Sequence, residues 1–373
     1  MLRRVALVVI AFIPVIIFGL VASPRARHDQ PVPASPLESH VDAIVSAAMK
    51  EQSISGVSVA VARRGRTAVS KGYGLASVEL DAPASAATVY RIGSITKQFT
   101  AAAIMRLVDS GKMTLDDPIE KFLPEFPVGD RRITIRHLLT HTSGIKSYTG
   151  LGPKFWDVSR LDYQHDQLLA LFKDEPPDFQ PGEKFLYNNS GYYLLGMIVE
   201  KVTGETYAAH MQKTMFGPLG LTSTLYCDIA PIIKHRASGY EVRGGQVVNA
   251  SPLSMNAPFS AGALCSTVTD LVTWTDALMG GKVVSAASLD AMRTPATLND
   301  GKPTTYGFGL GVVERDGQKV VSHGGGINGF TSFLSYVPES GNTVAVLTNS
   351  GGAKPGEIVN QVLKAVRSTG TEF

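Results

Sequence analysis

Strand-like runs stand at both ends of this 373-residue chain, with helix- and loop-forming sequence between them. Val57 to Ala62 alternates with small residues, Arg63-Arg64-Gly65-Arg66 reads as a turn, and Thr67 to Tyr73 reads as the returning strand. Near the C-terminus Lys319 to His323, Phe330 to Val337 and Thr343 to Asn349 are strand-like again. The strands of the two ends must therefore pair in one antiparallel sheet, whose apolar face needs a second layer. Leu37, Val41, Ile44, Val45 and Ala48 recur at helical spacing before the first strand, and Ile358, Val362 and Val366 share a face after the last. The predicted fold class is α/β plus all-α: an antiparallel sheet flanked by terminal helices, with a helical lobe inserted. The α/β lobe takes residues 37–85 and 300–368, and the helical lobe 86–299.

Within the middle, Ser94-Ile95-Thr96-Lys97 follows Gly93 and opens a helical run, Gln98 to Val108. A serine at a helix start and a lysine three residues on share a face. A serine hydroxyl needs a base before it attacks a carbonyl, and a desolvated lysine can be that base. A lysine in a first helical turn is disfavoured by the dipole, so its presence there asks for a reason. Alone, Ser-x-x-Lys says little, because Ser94 also reads as a helix cap. The chain holds a second copy, Ser143-Gly144-Ile145-Lys146, which reads as a solvated loop. Two distant elements single out the first copy. Tyr187-Asn188-Asn189 is the only Tyr-x-Asn in the chain, and His323-Gly324-Gly325 follows the apolar pair Val320-Val321.

These three elements, in this order, resemble the serine β-lactamase and penicillin-binding-protein superfamily, in the branch of class C β-lactamases, DD-carboxypeptidases and related esterases. His137 to Gly144, Gly191 to Gly196 and Tyr306 to Gly309 look familial too, and the resemblance runs from about Leu37 to Leu363. It implies the β-lactamase/transpeptidase-like fold, with the active site between the two lobes. It also implies roles. Ser94 is the nucleophile, and Lys97 and Tyr187 move protons, with either one the base. Asn189 holds Lys97 and the acyl side chain, and Gly325 admits the substrate close to its strand. The backbone N–H groups of Ser94 and Gly326 form the oxyanion hole. His323 stands where many relatives carry a lysine that grips a substrate carboxylate, and Gly324 where they carry threonine. Histidine is only partly charged near neutral pH, which weakens the case for a strong β-lactamase.

Other readings fail on context. Gly324 to Gly329 matches Gly-x-Gly-x-x-Gly, but a strand rather than a helix follows it. His137 and His141 sit four apart without the glutamate a zincin needs, so they take a structural or loop role and no metal or other cofactor is expected. The formal net charge of +3 gives no reason to expect a nucleic-acid partner. Arg3 and Arg4 precede an apolar run, Val5 to Val21, and then Ala22-Ser23. Residues 1–23 thus read as a signal peptide or an N-terminal anchor, and 24–36 as a linker. The protein is expected to be exported to the periplasm or envelope, with a membrane tether if the segment is not cleaved. Cys227 and Cys265 either pair there or stand as two buried thiols.

The expected activity is that of an exported serine hydrolase working through an acyl-enzyme on D-Ala-D-Ala-type peptides or related amides, with β-lactams as further substrates. A carboxylesterase on the same scaffold is the alternative. A non-catalytic envelope binding or scaffold protein is the alternative of another class, and the intact set of motif residues argues against it.

Overall fold

The computed structural model describes residues 35–369, together with Ala6 and Ala11. The expected signal or anchor segment and most of the linker fall outside these residues. Among the described residues no helix is long and apolar enough to cross a membrane.

The first helix, Pro36–Gln52, starts on Ser35, whose Oγ accepts from the Glu38 N–H at 3.1 Å, and a proline occupies its first turn. Three strands follow: β1 (Gly56–Arg63), β2 (Arg66–Ser77) and the short β3 (Ala82–Pro83). The middle of the chain contributes β4 (Tyr90–Arg91), β5 (Leu225–Tyr226), a hairpin of β6 (Tyr240–Arg243) and β7 (Gln246–Asn249), and β8 (Leu264–Ser266). The C-terminal part returns with β9 (Gly311–Arg315), β10 (Gln318–Ile327), β11 (Phe330–Val337) and β12 (Asn342–Thr348) before the last helix, Pro355–Ser368.

Strands from the two ends of the chain do meet. The large sheet has the order β3-β2-β1-β12-β11-β10-β9, and β1 pairs β12 antiparallel, Val57 opposite Thr348 through Arg63 opposite Asn342. Side-chain alternation assigns each face its own core. Val57, Val59 and Val61, with Val344 and Val346, pack with Leu37, Val41, Ile358 and Val362 of the two terminal helices. Ala60, Ala62, Ala345 and Leu347 face the other way, into the core of the helical lobe. The small alanines let the helix Val268–Met279 lie against β1 and β12.

The expected strands and helices near the termini form, with ends displaced by a few residues. Between the lobes' helices the chain also makes a small sheet, β4-β8-β5, and the β6–β7 hairpin, where only helix and loop were expected. The former strands are two or three residues long, too short for any period to show. At the centre of the helical lobe runs the helix Thr96–Asp109, buried on nearly every face. Phe99 stacks on Trp274 at 3.9 Å, and the indole N–H donates to Gln98 Oε1 at 3.1 Å.

Candidate active site

Ser94 lies just ahead of this central helix, in a 3-10 turn of Gly93–Ile95, rather than in the α-helix itself. The turn requires Gly93: its φ is 51°, and a Cβ there would sit 2.9 Å from the Gly326 backbone N. Strand β10 therefore runs directly past the turn. Gly325 makes the approach possible, because a Cβ on it would lie 2.0 Å from the Ile92 carbonyl O and 2.3 Å from Ser332 Oγ. Ser332 Oγ donates to that same carbonyl at 2.8 Å, locking the strands to the turn. At Gly326 a Cβ would meet nothing within 4 Å, so the strand opens into the cleft there. The Ser94 and Gly326 segments thus border one spot, where the expected oxyanion donors belong.

Lys97 is fully buried and touches no carboxylate. Its Nζ donates to Ser94 Oγ at 3.1 Å, to Asn189 Oδ1 at 2.8 Å and to the Ala261 carbonyl at 2.9 Å. Burial holds its pKa well below that of an ordinary lysine. The geometry then fixes where a neutral amine would turn its lone pair. Two of the three acceptors, an amide oxygen and a carbonyl, have no proton to give. Asn189 is oriented by its Nδ2, which donates to Thr149 Oγ1 at 3.0 Å. Only Ser94 can reverse its bond and donate, so a lone pair on Nζ faces the serine proton.

Tyr187 and Asn189 flank the start of the helix Asn189–Thr203, which Asn188 caps by accepting the Gly191 N–H at 2.8 Å. The Lys97 ammonium lies 4.7 Å from the centre of the Tyr187 ring. Tyr187 is partly exposed, but its hydroxyl, hydrogen-bonded to Ser94, sits in a desolvated spot that raises its pKa above the usual range. The hydroxyl is therefore held in its protonated form in this arrangement rather than as a phenolate.

His141 holds this segment. Its carbonyl accepts from the Leu186 N–H at 3.0 Å and its Nδ1 from the Asn188 N–H at 3.0 Å, so Tyr187 is clamped on both sides. The ring is almost fully buried among Tyr187, Tyr192 and Tyr306, at 4.3, 5.0 and 4.7 Å between centroids. With Nδ1 accepting, Nε2 carries the hydrogen and has no partner among the described residues. Burial, with Lys97 and His323 nearby, keeps the imidazole neutral. His137, the other half of the pair, closes a capping box with Thr134.

His323 sits on β10 at the edge of the site, 6.1 Å from the Tyr187 ring. Nδ1 meets the Gly324 carbonyl at 2.6 Å, so it must carry the hydrogen. Nε2 then accepts from the Tyr306 hydroxyl at 2.8 Å. Burial first, and the charge of Lys97 second, lower its pKa to about 3. The expected partial positive charge is therefore corrected: the ring is neutral at physiological pH, and both nitrogens are engaged. Tyr306, which sequence reasoning left without a role, orients it. The other partner missed is the Ala261 carbonyl, which has no side-chain signature.

Beside Ser94 opens a narrow cleft lined by Tyr148, Phe155, Trp156, Leu253 and Ile327 with Asn189, and by no charged side chain. The second Ser-x-x-Lys is a loop, but not the solvated one expected: Ser143 and Ile145 are buried, the Ile145 carbonyl accepts from Asn188 at the start of the helix Asn189–Thr203, and Lys146 pairs with Asp178. Cys227 and Cys265 form a disulfide across the β5–β8 edge of the small sheet.

The Beta-lactamase family model matches residues 41–367. The protein flp of Staphylococcus aureus (strain COL) is 29% identical over 318 residues, covering 84% of this chain. The chain spans 63% of that relative's length. Two solved structures are similar throughout. An octameric penicillin-binding protein homologue from Pyrococcus abyssi is 32% identical, with TM-score 0.77, covering 90% of this chain and 78% of that one. A D-stereospecific amidohydrolase from Streptomyces sp. is 28% identical, with TM-score 0.75, covering 91% and 100%. With the family matched over most of the sequence and the fold shared, the chain belongs to the β-lactamase and penicillin-binding-protein family of serine hydrolases.

Proposed function

We propose that this protein is an exported amidohydrolase and esterase that works through an acyl-enzyme on Ser94, preferring substrates whose leaving group carries no carboxylate beside the scissile bond. The observation that carries the reading is the 3.1 Å contact between Ser94 Oγ and a buried Lys97 Nζ that only this hydroxyl can protonate. Lys97, as the neutral amine, takes the proton as Ser94 attacks the carbonyl. Tyr187 passes a proton to the departing amine or alcohol. The N–H groups of Ser94 and Gly326 bind the oxyanion, and Asn189 holds Lys97 and the acyl chain. Water then releases the acid.

The sequence left open D-Ala-D-Ala-type peptides, related amides, β-lactams and esters. The first and third place a carboxylate next to the bond that breaks. Here Lys97 is committed to Ser94, Asn189 and the Ala261 carbonyl, His323 is neutral, and the cleft wall bears no charge. That environment favours amides and esters with uncharged leaving groups. The relative described as a D-stereospecific amidohydrolase fits this choice. The disulfide and the apolar N-terminal run support export.

The test compares kcat/KM for a D-alanine amide with that for a D-alanyl-D-alanine of matched acyl group, on the protein and on Ser94→Ala. Faster turnover of the amide, lost in Ser94→Ala, is the expected result. Preference for the free carboxylate overturns the substrate reading, and turnover by Ser94→Ala overturns the mechanism.

A further inference from the structure

A second pocket opens beyond the end of β10 and shares Leu253 and Asn328 with the cleft that holds Ser94. Three arginines line it, Arg91, Arg160 and Arg236, and no acidic residue does. Backbone pairing assembles two of them. The Val89 N–H donates to the His235 carbonyl at 2.9 Å and the Ala237 N–H to the Val89 carbonyl at 3.0 Å, which brings Arg236 beside β4 and Arg91. The Arg91 guanidinium is half-buried and lies 5.8 Å from the centre of the Phe330 ring. Asn328 joins the wall to the hairpin turn, its Nδ2 donating to the Ser251 carbonyl at 3.0 Å.

Four arginines, Arg136, Arg243, Arg293 and Arg367, pair with a carboxylate, and most of the others lie singly on the surface or against backbone carbonyls. Among the described residues Arg91, Arg160 and Arg236 pair with no carboxylate. Arg236 has only the Asp228 carbonyl, at 3.3 Å. Arg91 also feels the like charge of Arg236, which with burial lowers its pKa. The half-buried Arg91 guanidinium next to that of Arg236 makes a cationic spot that an anion would neutralise. Their planar donors suit a carboxylate, held by paired N–H bonds.

We propose that the pocket of Arg91, Arg160 and Arg236 is a substrate subsite for a carboxylate carried several bonds away from the scissile amide or ester. The inference rests on the acyl-enzyme reading and completes its charge pattern. The wall around Ser94 has no free cation for a carboxylate adjoining the reacting bond, whereas the adjoining pocket has three. Substrates are then acylated derivatives whose far end is an acid.

The test uses p-nitrophenyl monoesters of straight-chain diacids of increasing length, each beside the ester of equal length ending in a methyl group. The readout is the ratio of kcat/KM, acid-ended over methyl-ended. At one chain length the ratio should exceed one by about tenfold, and should fall towards one in Arg236→Gln and in Arg91→Gln. A ratio at or below one at every length overturns the proposal, as does a ratio that both variants leave unchanged. Arg236 is exposed, so its variant folds even if Arg91→Gln does not. Calorimetry on Ser94→Ala separates this subsite from the reaction. An acid-ended ester should bind Ser94→Ala about tenfold more tightly than it binds Ser94→Ala with Arg236→Gln. That result stands for the subsite even if the parent protein hydrolyses none of these esters, which would sink the reaction instead. Inorganic phosphate binding as tightly, with the same dependence on Arg236, would mark a phosphate site and overturn the carboxylate assignment.

Discussion

Replacing His323 by Gln should change how stability responds to acid. The ring protonates near 6.5 when free in the unfolded chain and only at about 3 in the folded protein. As pH falls, the unfolded state therefore takes up its proton first. The contribution is intact above pH 6.5 and is lost progressively as pH falls through 6.5 towards 3. At pH 4.5 the loss amounts to roughly 3 kcal/mol, two pH units at a little over 1 kcal/mol each. Glutamine cannot titrate, so His323→Gln escapes that loss whatever it costs at neutral pH. Urea unfolding of both proteins at pH 7.5 and pH 4.5 gives the comparison. Carboxylates and His141 titrate alike in both and cancel in the difference. The gap between parent and variant should move by about 3 kcal/mol in the variant's favour on acidification. If both lose the same stability, His323 is not held neutral by burial, and the uncharged cleft wall goes with it.

Three further outcomes follow from the site and its scaffold. Lys97→Ala should slow acylation at least about a hundredfold in rapid-mixing experiments, and Lys97→Arg should not rescue it, because a guanidinium does not give up its proton. Gly325→Ala should cost about 1–3 kcal/mol and abolish turnover, since its Cβ would meet the Ile92 carbonyl at 2.0 Å; Gly326→Ala, with open space, should keep the parent melting temperature. Reducing the Cys227–Cys265 bridge should lower stability by about 2–4 kcal/mol in denaturant unfolding, and an unchanged midpoint would show that it contributes nothing.

The sequence carried the fold's outline because period-two runs at both chain ends have few ways to bury their faces. The valines and alanines of β1 and β12 even separate by size onto the two sides of the sheet. The short strands of the middle left no period to read, although Gly244-Gly245 between Arg243 and Gln246 was a readable hairpin turn. At the site, Ser94, Lys97, Tyr187 and Asn189 were found because their spacing is a motif, and the structure brings them together. What the sequence could not convey was state. Whether His323 is charged depends on burial and on Lys97, and how its ring is turned depends on Tyr306, 17 residues away. The role of His141 depends on two backbone N–H groups some 45 residues on, and that of Ala261 on a carbonyl. The arginine pocket has no motif at all, since β4 and Arg236 meet only through tertiary pairing.

The central claim, a covalent acyl-enzyme on Ser94, is tested most directly by intact mass. The protein and Ser94→Ala are mixed with an activated ester and quenched in acid within the first turnovers. The parent should gain the mass of one acyl group, mapped by peptide digestion to Ser94, and Ser94→Ala should gain nothing. Turnover without an adduct at the earliest times, or an equal adduct on both proteins, would contradict the account.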